Sequence, residues 1–384
     1  MAAENKRLRI AILFGGRSGE HEVSLNSAAS VIAALDPARY EIVPIGITKD
    51  GRWLAGSSAQ KLLPEVLHSG QRVTLGPDPT VGALVPLDQS HSPTALRVDV
   101  VFPVLHGTYG EDGTVQGLLE LADLPYVGSG VIGSAVGMDK DMQKRLFLQA
   151  KLPVAEFLAI TRGRWEREPL AVRREIEKTF RYPIFVKPAT LGSSVGMTKA
   201  HDRVELVKAL NFAAGFAQKL IVERTIRGRE IELSVLGNEE ARASIPGEIV
   251  PHREFYDYEA KYLEEGTRLV IPAKLSKPQI KRFQELAVRA FHAVEALGFA
   301  RVDFFLERRT NRIYLNEINT IPGFTSISMY PKLWEASGLP YRALLDELIE
   351  LALAQHREKR RTKFTIELPT SSLPSNSSTP AIEK

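Results

Sequence analysis

Two stretches near the C-terminus carry residues with clear chemical potential. Arg301 and Asp303 open one apolar run, Glu317 and Asn319 end another, and a polar turn separates the runs. This pattern predicts an antiparallel hairpin. Because side chains alternate between the two faces of a strand, Arg301 and Asp303 share a face of the first strand. Glu317 and Asn319 likewise share a face of the second.

If those polar faces coincide, two carboxylates, an amide and a guanidinium meet at one place. Such a cluster is costly to bury by itself, so a charged ligand should lie among the side chains. Carboxylate and amide oxygens suit a Mg2+ ion that also holds substrate phosphates. The alternative is an exposed hairpin whose charges are solvated.

Two lysines further upstream could face phosphate groups. Lys140 lies in the first turn of a predicted helix, where a cation is disfavoured unless it meets an anion. Lys187 ends a buried strand and precedes a small flexible loop, residues 189–197, whose N–H groups could bind phosphate beside the lysine charge. The P-loop pattern G-x-x-x-x-G-K-[ST] is absent. A solvated surface lysine is the alternative for Lys140.

Further residues could complete a nucleotide site. Glu223 and Glu230 flank a strand and a turn, where one could meet the amino group of adenosine and the other its ribose; isolated glutamates are more often surface charges. Residues 247–261 are aromatic and charged without helical or strand periodicity. A loop of this kind is typical of a lid that closes over a site.

The N-terminal third has a strand–helix–strand rhythm, which predicts an open parallel α/β layer. Ligands bind at the carboxyl ends of such strands, and this places Glu20 and His106 where chemistry could occur. The turn after the first strand lacks the G-x-G-x-x-G spacing, which argues against a nicotinamide dehydrogenase. Strands are predicted at residues 8–14, 40–47 and 98–105, and loops with short pieces at residues 57–96.

Length and composition limit the remaining possibilities. A chain of 384 residues is expected to hold two or three domains. It has no cysteine, which excludes disulfides and thiol-bound zinc. The start of the chain shows no secretory pattern, and no apolar stretch is long enough to cross a bilayer. These features predict a cytoplasmic protein without membrane contact.

The net charge of +4 gives little support for nucleic-acid binding. A cluster of basic residues at 357–363 accounts for the excess, and it complements the dipole at the end of the last predicted helix. Residues 363–384 are rich in Ser, Thr and Pro and are predicted to be a disordered tail.

Taken together, the chain from about Ile10 to Leu351 resembles the ATP-grasp superfamily and, within it, the D-alanine–D-alanine ligases. The motifs that carry the resemblance are GGRSGEHEVSL, LHGTYGEDGTVQG, MDK, VKPATLGSSVGM, FYDYEAKY, GFARVDFF and NEINTIPGFTSISMYP. It implies an N-terminal substrate-binding α/β domain followed by two subdomains that clasp ATP. The predicted ranges are residues 1–127, 128–223 and 224–362.

The resemblance also implies a division of roles around ATP. Asp303, Glu317 and Asn319 would hold two Mg2+, which Mn2+ could replace. The residues expected to bind ATP are Lys140, Lys187, Ser194, Glu223, the main chain at Ile226, Glu230 and Lys261.

For the amino-acid substrates, Glu20 would receive the ammonium of a first D-alanine through a network with Ser193 and Tyr262. His106 would lie near the same substrate. The residues that would stabilise the oxyanion are Arg301 and the Gly323 amide, and those that would take the carboxylate of a second D-alanine are Ser328 and the Met329 amide.

The implied reaction makes D-alanyl-D-alanine for peptidoglycan precursors through a D-alanyl phosphate, in a cytoplasmic enzyme that is commonly a homodimer. His21 departs from the family pattern, since many relatives have arginine there. Tyr262 favours an amine over D-lactate as the second substrate. The alternatives are another ATP-grasp ligase and a nucleotide-binding regulator that has lost activity; the presence of Arg301 and the metal residues argues against the regulator.

Overall fold

The computed structural model describes residues 7–56, 63–87, 95–192, 195–250, 268–363 and 365. Within these residues the chain forms three β-sheets with flanking helices. The strands of the first sheet are β1 Leu8–Gly15, β2 Tyr40–Ile47, β3 Trp53–Ala55, β4 Gln71–Leu75, β5 Ala83–Pro86, β6 Leu96–Arg97 and β7 Val100–Pro103. Its neighbouring helices are α1 His21–Ala34, α2 Leu63–Ser69 and α3 Thr114–Leu121.

The first sheet has the strand order β6-β5-β4-β3-β2-β1-β7. β1 lies between β2 and β7 and is parallel to both, which confirms the predicted parallel layer for these three strands. From Ile10 onward β1 is a continuous buried run, as expected of a strand that is covered on both faces. Its carboxyl end leads directly to Glu20 and α1.

The prediction for residues 57–96 was incomplete. Helix α2 and the strands β4 and β5 lie there, and β3 to β6 extend the sheet by antiparallel pairing. Such short pieces show no readable periodicity, because neighbouring strands rather than local sequence order them. The predicted strand at residues 98–105 is shorter than expected and spans Val100–Pro103.

The second sheet is fully antiparallel in the order β10-β9-β11-β8. One face packs on helices through Ile184, Val186 and Leu220. By strand alternation the opposite face carries Lys187 and Glu223. The elements are β8 Phe157–Thr161, α6 Arg162–Arg167, α7 Pro169–Thr179, β9 Ile184–Pro188, β10 Thr198–Ala200, α8 Arg203–Ala214 and β11 Lys219–Arg224.

The third sheet has the order β15-β14-β12-β16-β17, with β13 paired to β12. Its elements are β12 Gly228–Gly237, β13 Arg242–Ala243, β14 Gly247–Val250, β15 Arg268–Val270, α9 Lys277–Ala293, β16 Gly298–Glu307, β17 Ile313–Asn319, α10 Met329–Ala336 and α11 Tyr341–Lys359. β14 corrects the prediction of a loop from residue 247: Ile249 is buried, and the strand pairs with β12 and β15.

Two helices connect the first and second sheets, α4 Val131–Met138 and α5 Lys140–Gln149. Asp139 caps α5 by accepting hydrogen bonds from the N–H groups of residues 141 and 142. The buried Gln143 side chain accepts a hydrogen bond from Ile318 N at 3.0 Å and donates to Ile318 O at 3.3 Å. This pairing anchors α5 on β17, so the lysines of α5 face the third sheet.

The last helix returns to the start of the chain. Leu344 and Leu348 of α11 belong to the same buried cluster as Ile10 and Phe102 of the first sheet. Within the described residues, no helix is long and apolar enough to cross a membrane. Most of the predicted tail, residue 364 and residues 366–384, lies outside the described residues.

Candidate active site

The hairpin of β16 and β17 brings the predicted metal residues and Arg301 together. The strands pair Arg301 with Asn319 and Asp303 with Glu317, so the two polar faces coincide, which the sequence had left open. Arg301 Nε and Nη2 each donate to Asp303 at 2.7 Å. Asn319 Nδ2 donates to Asp303 Oδ2 at 3.0 Å.

A carboxylate that was not predicted completes this group. Glu232 lies on β12 directly opposite Asp303, and its Oε2 is 3.1 Å from Arg301 Nε. Burial opposes the charge of Arg301, but Asp303 and Glu232 outweigh burial and hold its pKa well above the ordinary value. Arg301 is therefore a fixed cation between two acidic side chains.

The second sheet supplies a buried cluster around Glu223. Lys187 Nζ lies 3.0 Å from Glu223 Oε2, and Lys144 Nζ, from α5, lies 3.1 Å from Glu223 Oε1. Burial opposes the charge of Lys187, but Glu223 and Glu317 hold its pKa above the ordinary value. Lys144 was not identified from the sequence as a site residue.

Lys140 connects α5 to both the hairpin and the glycine-rich loop. Its Nζ donates to Leu191 O at 2.8 Å and lies 3.4 Å from Glu317 Oε2. Its backbone N–H donates to Ala189 O at 2.8 Å. A cation at this helix start is thus surrounded by acceptors, with Lys187 on the neighbouring sheet.

The charged side chains of these groups line one cavity of about 480 Å³ between the second and third sheets. That volume is typical of a site for a small molecule or nucleotide. Its wall combines charged side chains with an apolar part that includes Phe185, Met197 and Ile249. The predicted ATP and metal residues on the wall are Lys140, Lys187, Glu223, Ile226, Glu230, Asp303 and Glu317.

Glu20 lies where the first sheet meets the glycine-rich loop. A Cβ placed on Gly107 would be 2.8 Å from Glu20 Oε2, and one placed on Gly192 would be 3.2 Å from it. Gly107 also has a φ of +78°, so both conformation and space require glycine there. Loops from two separate parts of the fold therefore approach the Glu20 carboxylate.

His106 is buried behind Glu20. Its Nδ1 is 3.0 Å from Ile321 O, and its Nε2 is 2.9 Å from Ser27 Oγ. Burial lowers the pKa of His106, although Glu20 opposes this, so the imidazole is neutral at pH 7. Because a carbonyl can only accept, Nδ1 carries the proton and Nε2 accepts from Ser27.

Glu111 is a further acidic residue that was not predicted. Its Oε1 accepts a hydrogen bond from Gly107 N at 2.8 Å and lies 3.8 Å from His106 Nδ1. Burial and the charge of Glu20 raise the pKa of Glu111 well above the ordinary value. Two carboxyl groups in one buried place favour a proton on one of them.

The segment after β17 holds the predicted residues for the second substrate. Ser328 Oγ accepts from Thr325 N at 3.1 Å, and a Cβ on Gly323 would lie 3.1 Å from that oxygen. Met329 starts α10, whose first turn has no side-chain cap from Ser328. The N–H groups at such a helix start favour an anion such as a carboxylate.

Two family models match this chain: "D-ala D-ala ligase N-terminus" over residues 9–129 and "D-ala D-ala ligase C-terminus" over residues 146–350. The chain belongs to the D-alanine–D-alanine ligase family. This confirms the resemblance carried by the sequence motifs.

Individual relatives agree with the family models. A protein of Heliobacterium modesticaldum named D-alanine--D-alanine ligase is 53% identical over 356 residues, which are 92% of this chain and 96% of that protein. The solved D-alanine-D-alanine ligase from Coxiella burnetii matches with a TM-score of 0.82 at 40% identity, covering 92% of this chain and 96% of that chain. The solved VanG D-Ala:D-Ser ligase from Enterococcus faecalis also has a TM-score of 0.82, at 38% identity, covering 90% and 100%. These similarities confirm the predicted fold class.

Four residues with predicted roles lie outside the described residues: Ser193, Ser194, Lys261 and Tyr262. The predicted lid from residue 251 onward lies outside them as well. Gly192 and Val195, which border Ser193 and Ser194, lie on the cavity wall. The roles of the four residues and the domain boundaries at residues 127, 223 and 362 stay predictions.

The donor set of the hairpin suits a hard divalent cation such as Mg2+. Asp303, Glu317 and Asn319 offer carboxylate and amide oxygens, and Mg2+ usually takes one or two carboxylates together with substrate phosphates. In the described part of the chain, no group of three or more His, Cys, Asp or Glu residues could hold a metal ion. A metal at this hairpin would thus take part of its ligands from the nucleotide.

Three site residues were missed although the sequence held a signal for each. Lys144 is four residues after Lys140 and hence on the same helix face. Glu232 is two residues after Glu230 and hence on the same strand face. Glu111 lies within the motif that begins near His106. For Lys144 and Glu232 the usable clue was a charge at the period of the element that carries a predicted site residue; for Glu111 it was the shared motif.

Proposed function

We propose that this protein is an ATP-dependent ligase that joins two D-alanines into D-alanyl-D-alanine, with ADP and phosphate as the other products. The observation that carries the proposal is one cavity that contains Lys140, Lys187 and Arg301 together with Asp303 and Glu317. Cations for phosphate and oxygen donors for a divalent metal are what phosphoryl transfer from ATP requires. The names of the family's members supply the substrate.

In the first step, Glu20 holds the ammonium of the first D-alanine and His106 lies behind it. A carboxylate oxygen of this substrate forms a bond to the γ-phosphorus of ATP, and the bond from that phosphorus to the β–γ bridging oxygen breaks. ADP leaves with the electron pair, and D-alanyl phosphate remains. Lys140 and Lys187 neutralise the charge on the phosphates.

In the second step, the neutral amine of the second D-alanine attacks the acyl carbon of D-alanyl phosphate. Arg301 and the Gly323 N–H stabilise the resulting oxyanion, while Ser328 and the Met329 N–H bind the carboxylate of the second substrate. Phosphate leaves with the electrons of the C–O bond. The nitrogen, which became positively charged on attack, transfers one proton to the departing phosphate, and the peptide bond is complete.

Asp303, Glu317 and Asn319 would hold two Mg2+, or Mn2+ in their place. When bound, these ions supply positive charge that stabilises the transferring phosphoryl group. For the remainder of ATP, we assign Glu223, Glu230 and the main chain at Ile226 to adenosine, and Ser194 and Lys261 to the phosphates. A lid over residues 251–261, with Tyr262 and Ser193 beside Glu20, would protect the acyl phosphate from water.

A turnover assay tests the function. Purified protein with ATP and Mg2+ is given D-alanine, L-alanine, D-lactate or D-serine, and both ADP and the product are measured. We expect ADP release to depend on D-alanine and to match D-alanyl-D-alanine formation one to one. No stimulation by D-alanine over L-alanine would disprove the assignment.

The same assay distinguishes D-alanine from D-serine as the second substrate. The similarity to a solved D-Ala:D-Ser ligase makes D-serine a real second candidate for the amine substrate. With D-alanine and D-serine in competition, we expect the D-alanine dipeptide to dominate. A mixed dipeptide as the main product would move the protein to that branch of the family.

The wider setting follows from the substrates. We propose that the ligase works in the cytoplasm, where ATP is available, and that its product enters peptidoglycan precursors. We also propose a homodimer, on the basis of the family alone. Light scattering at micromolar concentration would test the dimer, and a mass of about 43 kDa, equal to one 42.6 kDa chain, would contradict it.

A further inference from the structure

Lys144 has no part in the two steps above, yet it is buried at the centre of the charged wall. Its side chain is 1% exposed, and its Nζ lies 3.1 Å from Glu223 Oε1. The same Nζ donates to the main-chain oxygen of Asn316 at 3.2 Å. Lys187 holds the other carboxylate oxygen of Glu223 at 3.0 Å. One carboxylate therefore serves two ammonium groups.

The ionised state of Glu223 depends on its two lysine partners. Burial raises the pKa of Glu223, but Lys144 and Lys187 outweigh burial and hold that pKa below the ordinary value of a glutamate. Glu223 is thus an anion between the two ammonium groups, and Glu317 is a second negative charge that acts on both lysines. Burial lowers the pKa of Lys144, although Glu223 and Glu317 oppose this.

The ion pair between Lys187 and Glu223 conflicts with the role of Lys187 in phosphate binding. To reach a phosphate, Lys187 must leave Glu223, and a buried carboxylate that loses its counterion is strongly disfavoured. Lys144 removes this difficulty if it stays in place. Its position is held by the Asn316 carbonyl, and its Nζ is also 5.8 Å from the ring of Phe157.

We propose that Lys144 is a positioning residue that balances the charge of Glu223 and holds that side chain in place, so that Lys187 can exchange Glu223 for a phosphate of the nucleotide. The inference rests on the proposed function, because it takes ATP as the ligand of the cavity. Lys144 itself contacts Glu223 and the main chain of β17, and the role proposed for it is to hold Glu223 rather than to bind the nucleotide.

Two ligands that differ only in their phosphates give the sharpest test. Adenosine and ADP are titrated into the full chain by calorimetry, in one buffer with constant Mg2+. The ratio of the adenosine Kd to the ADP Kd then isolates what the phosphates contribute. A collapsed cavity would weaken both ligands equally and leave this ratio unchanged.

We expect Lys144→Met to lower this ratio by about tenfold or more, because Lys187 is then the counterion that Glu223 retains. Arg145→Met is the matched control, since it removes a cation from the next position of α5 that pairs with Asp141 outside the cavity. The control should keep the ratio of the wild type to within about twofold. Lys144→Arg, which retains the charge, should keep most of the ratio.

Glu223→Gln provides the rescue. A neutral side chain at residue 223 needs no counterion, so Lys187 is available whether or not Lys144 is present. The double variant Lys144→Met/Glu223→Gln should therefore have the same ratio as Glu223→Gln alone, to within about twofold. If Lys144→Met by itself does not fold, this comparison of the double variant with Glu223→Gln still tests the role of Lys144.

Two results would overturn the inference. One is an unchanged ratio in Lys144→Met, with or without an equal loss of adenosine and ADP affinity. The other is a tenfold lower ratio in the double variant than in Glu223→Gln. Failure of the proposed function looks different, because the wild type would then bind no ADP or release none from ATP in the presence of D-alanine.

Discussion

At the scale of single residues, the cavity holds its charges as ion pairs. Arg301 pairs with Asp303, and Lys140 lies 3.4 Å from Glu317. Each pair reduces the cost of keeping both groups away from water, and removal of one member leaves the other uncompensated. Ligand binding at such a site must exchange partners rather than fill an uncharged space. Substitutions in it should therefore affect binding and turnover together.

Glu317→Gln tests the metal assignment at this scale. The amide retains the shape but loses the charge, so we expect turnover to fall by about a hundredfold or more. Binding of Mn2+ in the presence of ATP, followed by electron paramagnetic resonance, should weaken in parallel. Glu307→Gln, at the far end of the same hairpin, is the control and should behave like the wild type. Near-normal activity of Glu317→Gln would refute the metal role.

Glu111→Gln tests the raised pKa of Glu111. Above the ordinary glutamate value of 4.5, the unfolded chain has lost this proton, whereas the folded protein still holds it. Unfolding then releases a proton, so the contribution of Glu111 to stability falls as the pH rises from that value through its folded pKa. The variant lacks this contribution, and its stability relative to the wild type should increase over the same range.

The check for Glu111 is urea unfolding at a series of pH values. His106, Glu20, Lys140 and Arg301 surround Glu111 and are the same in both proteins. A difference in unfolding free energy that is independent of pH would show that Glu111 is not perturbed.

At the scale of elements, a bulge in β17 links the hairpin to α5. The register steps from the pair Asp303–Glu317 to the pair Phe304–Leu315 and so skips Asn316. A bulge of this kind leaves backbone groups outside the ladder. The Asn316 carbonyl accepts from Lys144, and the neighbouring Ile318 N–H donates to Gln143. The position of α5 thus depends on backbone groups of β17, which is the last strand of its sheet.

Gln143→Leu tests this link. The substitution keeps the size of the side chain but leaves polar groups of β17 without their partner, which should cost about 1–3 kcal/mol of unfolding free energy. The KM for ATP should also rise, because α5 carries Lys140 and Lys144. Gln149→Leu on the exposed face of the same helix is the control. An unchanged KM would show that α5 does not depend on Gln143 for its position.

At the scale of the whole molecule, the two ends of the chain share a core. Leu348 of α11 is fully buried in the cluster that contains Ile10 of β1. The sheet that carries Glu20 is therefore attached to the segment that follows the hairpin and α10. This shared core holds together the parts of the chain that carry the proposed sites for the first substrate, ATP and the second substrate.

Leu348→Ala should measure how much this shared core contributes to the free energy of unfolding. A buried leucine replaced by alanine typically costs about 2–5 kcal/mol of unfolding free energy, since the cavity left behind is only partly filled. We expect this loss in urea unfolding. Spectroscopic signals from the first sheet and from the third sheet should disappear in a single transition. Glu350→Ala, two residues on and exposed, is the control. Separate transitions for the two signals would contradict a shared core.

Much of the candidate site could be predicted from the sequence. Strand alternation placed Arg301 with Asp303, and the observed pairing of β16 with β17 agrees with it. The buried run of β1 was equally readable. Short strands such as β4 and β14 could not be predicted from the sequence. Strands of five and four residues are ordered by pairing with neighbouring strands rather than by a pattern in their own residues.

The sequence by itself determined the family, through motifs spread along the chain, and the side-chain alternation of the hairpin, which is a property of any extended backbone. Only the tertiary structure decided that the polar faces coincide and that Glu232, Lys144 and Glu111 join them. Those residues come from elements distant in the chain, and their meeting depends on strand register and helix packing. Such contacts are a property of the folded molecule: a local pattern can mark these residues as candidates, but it does not give their partners.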